Sequence, residues 1–591
     1  MRPLPPAPPP ADDGAPAGAS GTASLDQSVA AHLARFTSGL SPVSLALAAT
    51  DWGLNLATQP GQAARLATQA QQGALQWWAD VLDDPVLDIP SGEDHRFEHP
   101  QWRRWPLAPV VRAYLGAEQW WAQATSLPGM SPHHQDMNRV FARQWLDMLS
   151  PANVPWLNPE VQQRTWASGG SNLLQGLANA QDDWRRRHGL APLQPDERAY
   201  QPGVDVATTP GRVVHRNHLV ELIQYSPSTP QVNAEPVFIV PSWIMKYYIL
   251  DLSPHNSLVK WLVGQGHTVF MLSWRNPDEG DALLDMADYL QLGVFDPLAA
   301  IARCVPGEAV HAMGYCLGGT LLSIGAAALA RPGQVAGAEQ LPALASLSLL
   351  AAETDFSEPG EMGVLIDEAQ VQLLEAMMAE RGFLTGRQMA GSFQFLHARE
   401  LVWSATLREV WLGERLRPND LMAWNADVTR MPATMHSEYL RRCYLRNELA
   451  TNRYPVEGRP VALGDIRQPI FLVGTEKDHV APWKSVYKLH QLADTEVTFV
   501  LANGGHNAGI VSEPGHAGRR HAVHTQTSHD AWLPPEAWCD QARRVDGSWW
   551  PTWQAWLLAK GSGRQVPARN PQAVPGLPAA PGAYVLQRYL D

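Results

Sequence analysis

Cysteine is scarce, with four in 591 residues: Cys304, Cys316, Cys443 and Cys539, widely spaced and in no C-x-x-C pair. That spacing excludes a disulfide framework and a zinc ribbon, and it fits a reducing cytoplasm. Long apolar runs are lacking as well. Nowhere does the chain approach the roughly 18 consecutive apolar residues of a membrane span, and residues 1–10, mostly proline, hold no apolar core of a secretion signal. Basic residues are outnumbered: 45 Lys and Arg against 58 Asp and Glu leave a formal net charge of −13. Nucleic acid is therefore not expected as a partner, because phosphate binding needs a basic surface. Any anionic substrate must meet locally placed basic groups. No internal repeat is evident. Tryptophan, by contrast, is plentiful, 24 against 13 Tyr and 12 Phe, with pairs at Trp77-Trp78, Trp120-Trp121 and Trp549-Trp550. Its large apolar body and single polar edge suit ordinary interiors and also boundaries between oily and aqueous phases.

At this length a single core stops growing, so two domains are expected. Residues 1–24 are mostly Pro, Ala, Gly, Ser and Asp with little to bury, and read as a disordered tail. Residues 25–198 carry helical periodicity, as in 140–149 and 173–184, with stop and start signals at Ser150-Pro151-Ala152-Asn153 and Asn158-Pro159. They are expected to form a helical N-terminal domain. Residues 199–591 change period. Strand-like runs occur at 212–217, 219–224, 237–240, 268–273, 310–313, 346–350, 470–473 and 497–501, separated from the third onward by helix-length segments. This is the pattern of a mostly parallel sheet covered on both faces.

After the fifth run comes Gly314-Tyr315-Cys316-Leu317-Gly318-Gly319-Thr320, then a helix-forming stretch of small residues to Ala330. Gly-x-Cys-x-Gly between a strand and a helix is a nucleophile elbow with a thiol in place of the hydroxyl. Most free cysteines are buried and inert, but few stand between two glycines at the start of a helix, where the helix dipole favours thiolate. Eight strands with the elbow after the fifth make an α/β-hydrolase fold, in which an acid and then a histidine follow the nucleophile on loops at the strand ends. Asp478 lies past the seventh run and His506 past the eighth, so His506 is expected to take the thiol proton and Asp478 to orient it. His479 is the rival base, but only His506 occupies the loop where this fold puts its histidine. The oxyanion donors are expected at the backbone of Leu317 and, from the loop after the third strand, Ile244. The interval from Leu350 to Ile470 is far longer than a crossover requires, so residues of about 354–446 should form an inserted cap over the site. His516, His521, His524 and His529 match no established ligand spacing and are read as a polar loop. Cys304, Cys443 and Cys539 lack elbow glycines and read as packed thiols. No metal and no cofactor is expected.

The residues closely resemble the polyhydroxyalkanoate synthases, in particular the single-subunit class I type. The matches include Ser150-Pro151-Ala152-Asn153, Lys246-Tyr247-Tyr248, Gly264-Gln265-Gly266-His267, Ser273-Trp274-Arg275-Asn276-Pro277, the elbow, Trp424-Asn425-Ala426-Asp427, Asp478-His479 and Gly547-Ser548-Trp549-Trp550-Pro551. The resemblance implies polymerisation of (R)-3-hydroxyacyl-coenzyme A thioesters on the Cys316 thiol with release of coenzyme A. It also implies short side chains of the 3-hydroxybutyrate kind, and a homodimer at the surface of a cytoplasmic polyester granule. The sequence departs from the family pattern at Ser242 and Met245, where Pro and Asn are usual. It departs also in the cap at residues 397–405, which include His397 and Ser404, and at Asn507 and Ser512 after the histidine. Two other readings use the same residues: a cysteine α/β-hydrolase that passes thioesters or lactones to water, and an idle granule-surface protein that keeps the fold.

Overall fold

The structure is a computed structural model and describes residues 21–588 except 38, 84–94, 189, 192, 194–199, 387, 390, 392–401 and 416–417. Residues 1–20 of the expected tail and the departures at 397–401 lie outside the described residues. The last four residues assigned to the tail belong to a helix, Gly21–Phe36. Among the described residues six more α-helices precede the sheet, Pro42–Thr58, Pro60–Asp83, Leu107–Ala124, Pro132–Met148, Pro159–Ala167 and Ser171–Arg187. Their starts follow local chemistry: Ser41, Ser131 and Asn158 each cap a first turn through the side-chain oxygen, with Pro at the first helical position.

The central sheet has ten strands: β1 Gly211–Arg216, β2 Val220–Tyr225, β3 Val237–Val240, β4 Val269–Trp274, β5 Val310–Tyr315, β6 Leu344–Leu350, β7 Ile470–Thr475, β8 Val497–Ala502, β9 Arg520–Gln526 and β10 Arg543–Asp546. Their spatial order is β1-β2-β4-β3-β5-β6-β7-β8-β9-β10. Strands β4 to β8 run parallel in that order, and the pairs at either end are antiparallel. Strands β3, β4, β5, β7 and β8 are buried along their whole length, as a sheet covered on both faces requires. Strands β9 and β10 correct the sequence reading, which took the histidine-rich stretch as loop: His521 and His524 lie on β9, whose alternation of exposed and buried residues marks an edge region wetted on one face.

Between β6 and β7 the chain forms a mainly helical cap that includes Glu368–Ala379, Asp420–Asn425 and Ala433–Tyr439. It is fastened from two sides. Thr429 N–H donates to Ile244 O at 2.8 Å, and Thr429 Oγ1 donates to Trp243 O, so the cap is zipped onto the loop after β3. The N-terminal helices hold it from outside: Ser41 N–H donates to Gln370 Oε1 and Gln370 Nε2 to Gly39 O, both at 2.7 Å, and Asn172 Nδ2 donates to Trp411 O at 2.8 Å.

Candidate active site

Strand β5 ends at Tyr315, and the helix Leu317–Leu329 begins one residue later, so the chain must turn at Cys316. That residue takes φ 52° and ψ −126°, a conformation that costs energy for any residue with a Cβ and that the surrounding structure must impose. The glycines make the turn possible. A Cβ on Gly314 would stand 2.4 Å from Gly319 Cα, and one on Gly318 would stand 2.2 Å from Val240 O. Strand β3, the turn and the helix therefore touch through bare backbone, and the thiol is lifted to the sheet's C-terminal edge.

The two other predicted partners arrive there from β7 and β8. Asp478 is buried, and its carboxylate is fully engaged. Oδ1 accepts from the N–H groups of Val480 at 2.9 Å and Ala481 at 2.8 Å, while Oδ2 accepts from Thr475 Oγ1 at 3.0 Å and from His506 Nδ1 at 2.8 Å. A carboxylate only accepts, so Nδ1 carries the proton and Nε2 is left for Cys316, which hydrogen-bonds the imidazole. Burial alone would push His506 down. The Asp478 carboxylate and the Cys316 side chain outweigh burial and hold the imidazole well above the usual histidine range, which makes it a strong acceptor for a thiol proton. His479 does not share this environment: its side chain is 62% exposed and faces Glu361 of the cap at 3.9 Å.

The loop that carries His506 is propped from behind. Trp549 Nε1 donates to Gly509 O at 3.1 Å and Trp550 Nε1 to Ile510 O at 3.0 Å, with both rings buried. Asn507 accepts from Tyr315 Oη at 2.6 Å, which ties the same loop to the residue before the nucleophile. The Trp424-Asn425-Ala426-Asp427 segment locks onto the loop after β3, through Trp424 Nε1 to Lys246 O at 2.7 Å and Tyr248 Oη to Asp427 Oδ2 at 2.9 Å.

Of the expected oxyanion donors, Leu317 is the first residue of its helix, where N–H groups have no partner within the helix. The Ile244 N–H has an acceptor already, Ser242 Oγ at 3.3 Å, and must leave it to serve an oxyanion. Leu317 and Ile244 both line a cavity of about 70 Å³ over Cys316. Its other walls include Phe356, Met362, Ile366, Tyr439 and Tyr444, mostly from the cap, with Val480 and Ala481 from the Asp478 loop. Ligand sites are typically several hundred Å³, so the cap is drawn down on Cys316. Sequence reasoning missed two polar residues in this wall, Glu353 and His436. A carboxyl three residues beyond the apolar strand β6 was the available signal for Glu353; His436, in a cap of unassigned contacts, gave none.

Among the described residues no group of His, Cys, Asp and Glu is arranged to hold a metal ion. His521 instead hydrogen-bonds Gly547 O at 3.2 Å and Thr552 Oγ1 at 2.9 Å. Cys443 is buried, Cys304 and Cys539 are partly buried, and burial raises all three thiols above the usual range. No helix among the described residues is long and apolar enough to cross a membrane.

Residues 93–262 match the family described as poly-beta-hydroxybutyrate polymerase (PhaC) N-terminus, residues 20–62 a second N-terminal family of the same polymerase, and residues 235–513 the alpha/beta hydrolase fold. A poly(3-hydroxyalkanoate) polymerase of Methylorubrum extorquens is 37% identical over 538 residues, covering 89% of this chain and 87% of the relative. The chain belongs to the poly(3-hydroxyalkanoate) polymerase family. A polymerase subunit, PhaC, of Cupriavidus necator is 39% identical over 458 residues, 76% of this chain and 75% of the relative. Poly(3-hydroxyalkanoate) polymerase 2 of Ectopseudomonas oleovorans is 33% identical, covering 86% and 89%. Membership makes the protein an enzyme, an acyltransferase-type synthase on an α/β-hydrolase fold.

Proposed function

We propose that this polymerase joins (R)-3-hydroxyacyl-coenzyme A thioesters into a polyester by covalent catalysis on Cys316, with His506 as base and Asp478 as its orienting acid. The observation that carries the reading is the His506–Asp478 pair, with Nδ1 committed to the carboxylate and Nε2 left for a thiol on a strained elbow. In the first half-reaction the thiol proton passes to His506 and the thiolate attacks the thioester carbonyl. The oxyanion draws on the N–H groups of Leu317 and Ile244, and coenzyme A leaves as a thiol with the proton from His506. One thioester replaces another, so the step is nearly isoenergetic. In the second half-reaction a 3-hydroxyl gives its proton to His506, its oxygen forms the ester bond, and the sulfur of the attacked thioester leaves and is reprotonated. The small apolar cavity supports short side chains and a non-aqueous acceptor, and its size requires the cap to open for substrate and polymer.

A polyester granule in the cytoplasm is the proposed working surface, and a homodimer the working state. Support for the granule comes from the N-terminal helices and their connections, which expose Trp145, Trp156 and Trp166 at 63%, 75% and 86% together with Leu149 and Leu174. Incubation of purified protein with 3-hydroxybutyryl-coenzyme A, followed by free thiol and turbidity together, tests the proposal. Thiol release with rising turbidity is expected. Thiol release with only soluble hydroxyacid would mean a hydrolase, and no thiol release would mean an idle protein.

A further inference from the structure

The cavity over Cys316 is apolar except for a few groups, and most of these are occupied. Thr320 Oγ1 donates to the Glu353 carbonyl at 2.7 Å, and the hydroxyls of Tyr439 and Tyr444 bond each other. Two polar atoms of the wall remain. Glu353 Oε1 and His436 Nδ1 are both buried and have no hydrogen-bond partner among the described residues. Leaving one buried polar atom unmatched is costly, and two in one small cavity that also holds the nucleophile call for a ligand.

Glu353 is the better placed. It follows β6 by three residues, past a turn at Ala351 with φ 47°, and β6 is the strand whose Leu350 carbonyl accepts the Cys316 N–H at 2.9 Å. Its side chain thus shares a wall with the thiol and lies in the field of Cys316 and Asp478. Burial first, and then the Asp478 carboxylate and the Cys316 side chain, hold the carboxyl well above the usual range, so it stays in the acid form. A carboxylic acid both donates and accepts, which matches a hydroxyl, a group that also does both. A plain acyl chain would leave Oε1 unmatched. His436, which burial holds at about 4 and therefore neutral, adds a second polar atom without adding charge.

We propose that Glu353 is a substrate-binding residue whose carboxyl takes the 3-hydroxyl of the acyl group held on Cys316, and so selects 3-hydroxyacyl over unsubstituted acyl thioesters. The inference rests on the polymerase reading above. It makes Glu353 a specificity element within the wall and leaves proton transfer to His506.

First-turnover release of coenzyme A is the test, measured on the full-length protein with 3-hydroxybutyryl-coenzyme A and with butyryl-coenzyme A, the Cys316 adduct being identified by mass. The unaltered protein should prefer the hydroxylated substrate by at least about tenfold, the scale of one buried hydrogen bond. Glu353→Leu should bring the two rates to within about twofold, with a melting temperature unchanged or higher because an unmatched buried carboxyl is gone. Glu353→Gln, whose amide also donates and accepts, should keep most of the preference. An undiminished preference in Glu353→Leu, a melting temperature several degrees lower in that variant, or equal loss in Glu353→Gln would overturn the inference. With adducts present, these outcomes concern Glu353 alone; no adduct from either thioester would overturn the covalent reading as well.

Discussion

Single residues at this site differ by what faces them. His506 and His479 lie on neighbouring loops, yet one is enclosed with Asp478 and Cys316 and the other looks out at Glu361. His506→Ala should therefore lose about a thousandfold or more in turnover, while His479→Ala loses less than about tenfold; steady-state rates on 3-hydroxybutyryl-coenzyme A decide, and the reverse ranking would exchange their roles. Ser242 acts in the other direction. Where the family usually has proline, its hydroxyl engages the Ile244 N–H at 3.3 Å, a long bond that competes with an oxyanion. Ser242→Ala should raise kcat by about threefold with KM little changed, the worth of one weak neutral hydrogen bond. An unchanged or lower kcat would show that Ile244 is not a donor. That Cys316, Asp478 and His506 meet was legible in the sequence because each sits beside a fixed feature of the fold, glycines on both sides of Cys316 and a strand end before Asp478 and His506. Glu353 was not, since its role depends on which neighbours close over it, and these come from the distant cap.

Elements were readable wherever burial was two-sided. Runs such as those of β3, β7 and β8 are buried along their whole length, and a strand covered on both faces has few polar positions to confuse its period; β1, polar and only partly buried, was legible from its flanking turn residues instead. Strands β9 and β10 escaped: β9 alternates polar residues with a few buried ones, and no residue of β10 is buried. The tryptophan pair at 549–550 proved to be a structural brace. Two buried Nε1 groups hold the carbonyls of Gly509 and Ile510, and with them the loop that presents His506. The double variant Trp549→Phe with Trp550→Phe keeps the apolar bulk and removes both donors. It should cost about 1–3 kcal/mol per unmatched carbonyl in chemical denaturation, and kcat should fall by more than KM rises. A stable variant of full activity would mean that the brace does not position the histidine.

Across the whole molecule, buried histidines tie stability to pH. His311, His436 and His490 are each lowered to about 4, chiefly by burial. Between their ordinary value near 6.5 and about 4, the unfolded chain binds protons that the folded chain refuses, so stability is full above about 6.5 and is lost as pH falls toward 4. Each such histidine contributes a slope on the order of 1.4 kcal/mol per pH unit in that window. Urea denaturation at pH 7 and pH 5 should show this loss, and His311→Gln, on β5 away from the cavity, should reduce the slope by about one proton; an equal slope would place the titration elsewhere. The assembly of N-terminal helices, cap and sheet was foreseen only as a list of parts. Helical period places residues on a face, but the Ser41–Gln370 and Asn172–Trp411 bonds that seat the helices on the cap join positions hundreds of residues apart.

The central claim is that the elbow thiol carries the acyl chain. Coenzyme A release from 3-hydroxybutyryl-coenzyme A, measured in parallel for the unaltered protein and a folded Cys316→Ala variant, tests it most directly. Release and a mass adduct on the peptide holding Cys316 are expected in the first, and neither in the second, with residual release below about a thousandth. Release by Cys316→Ala above that level, or an adduct on any other residue, would contradict it.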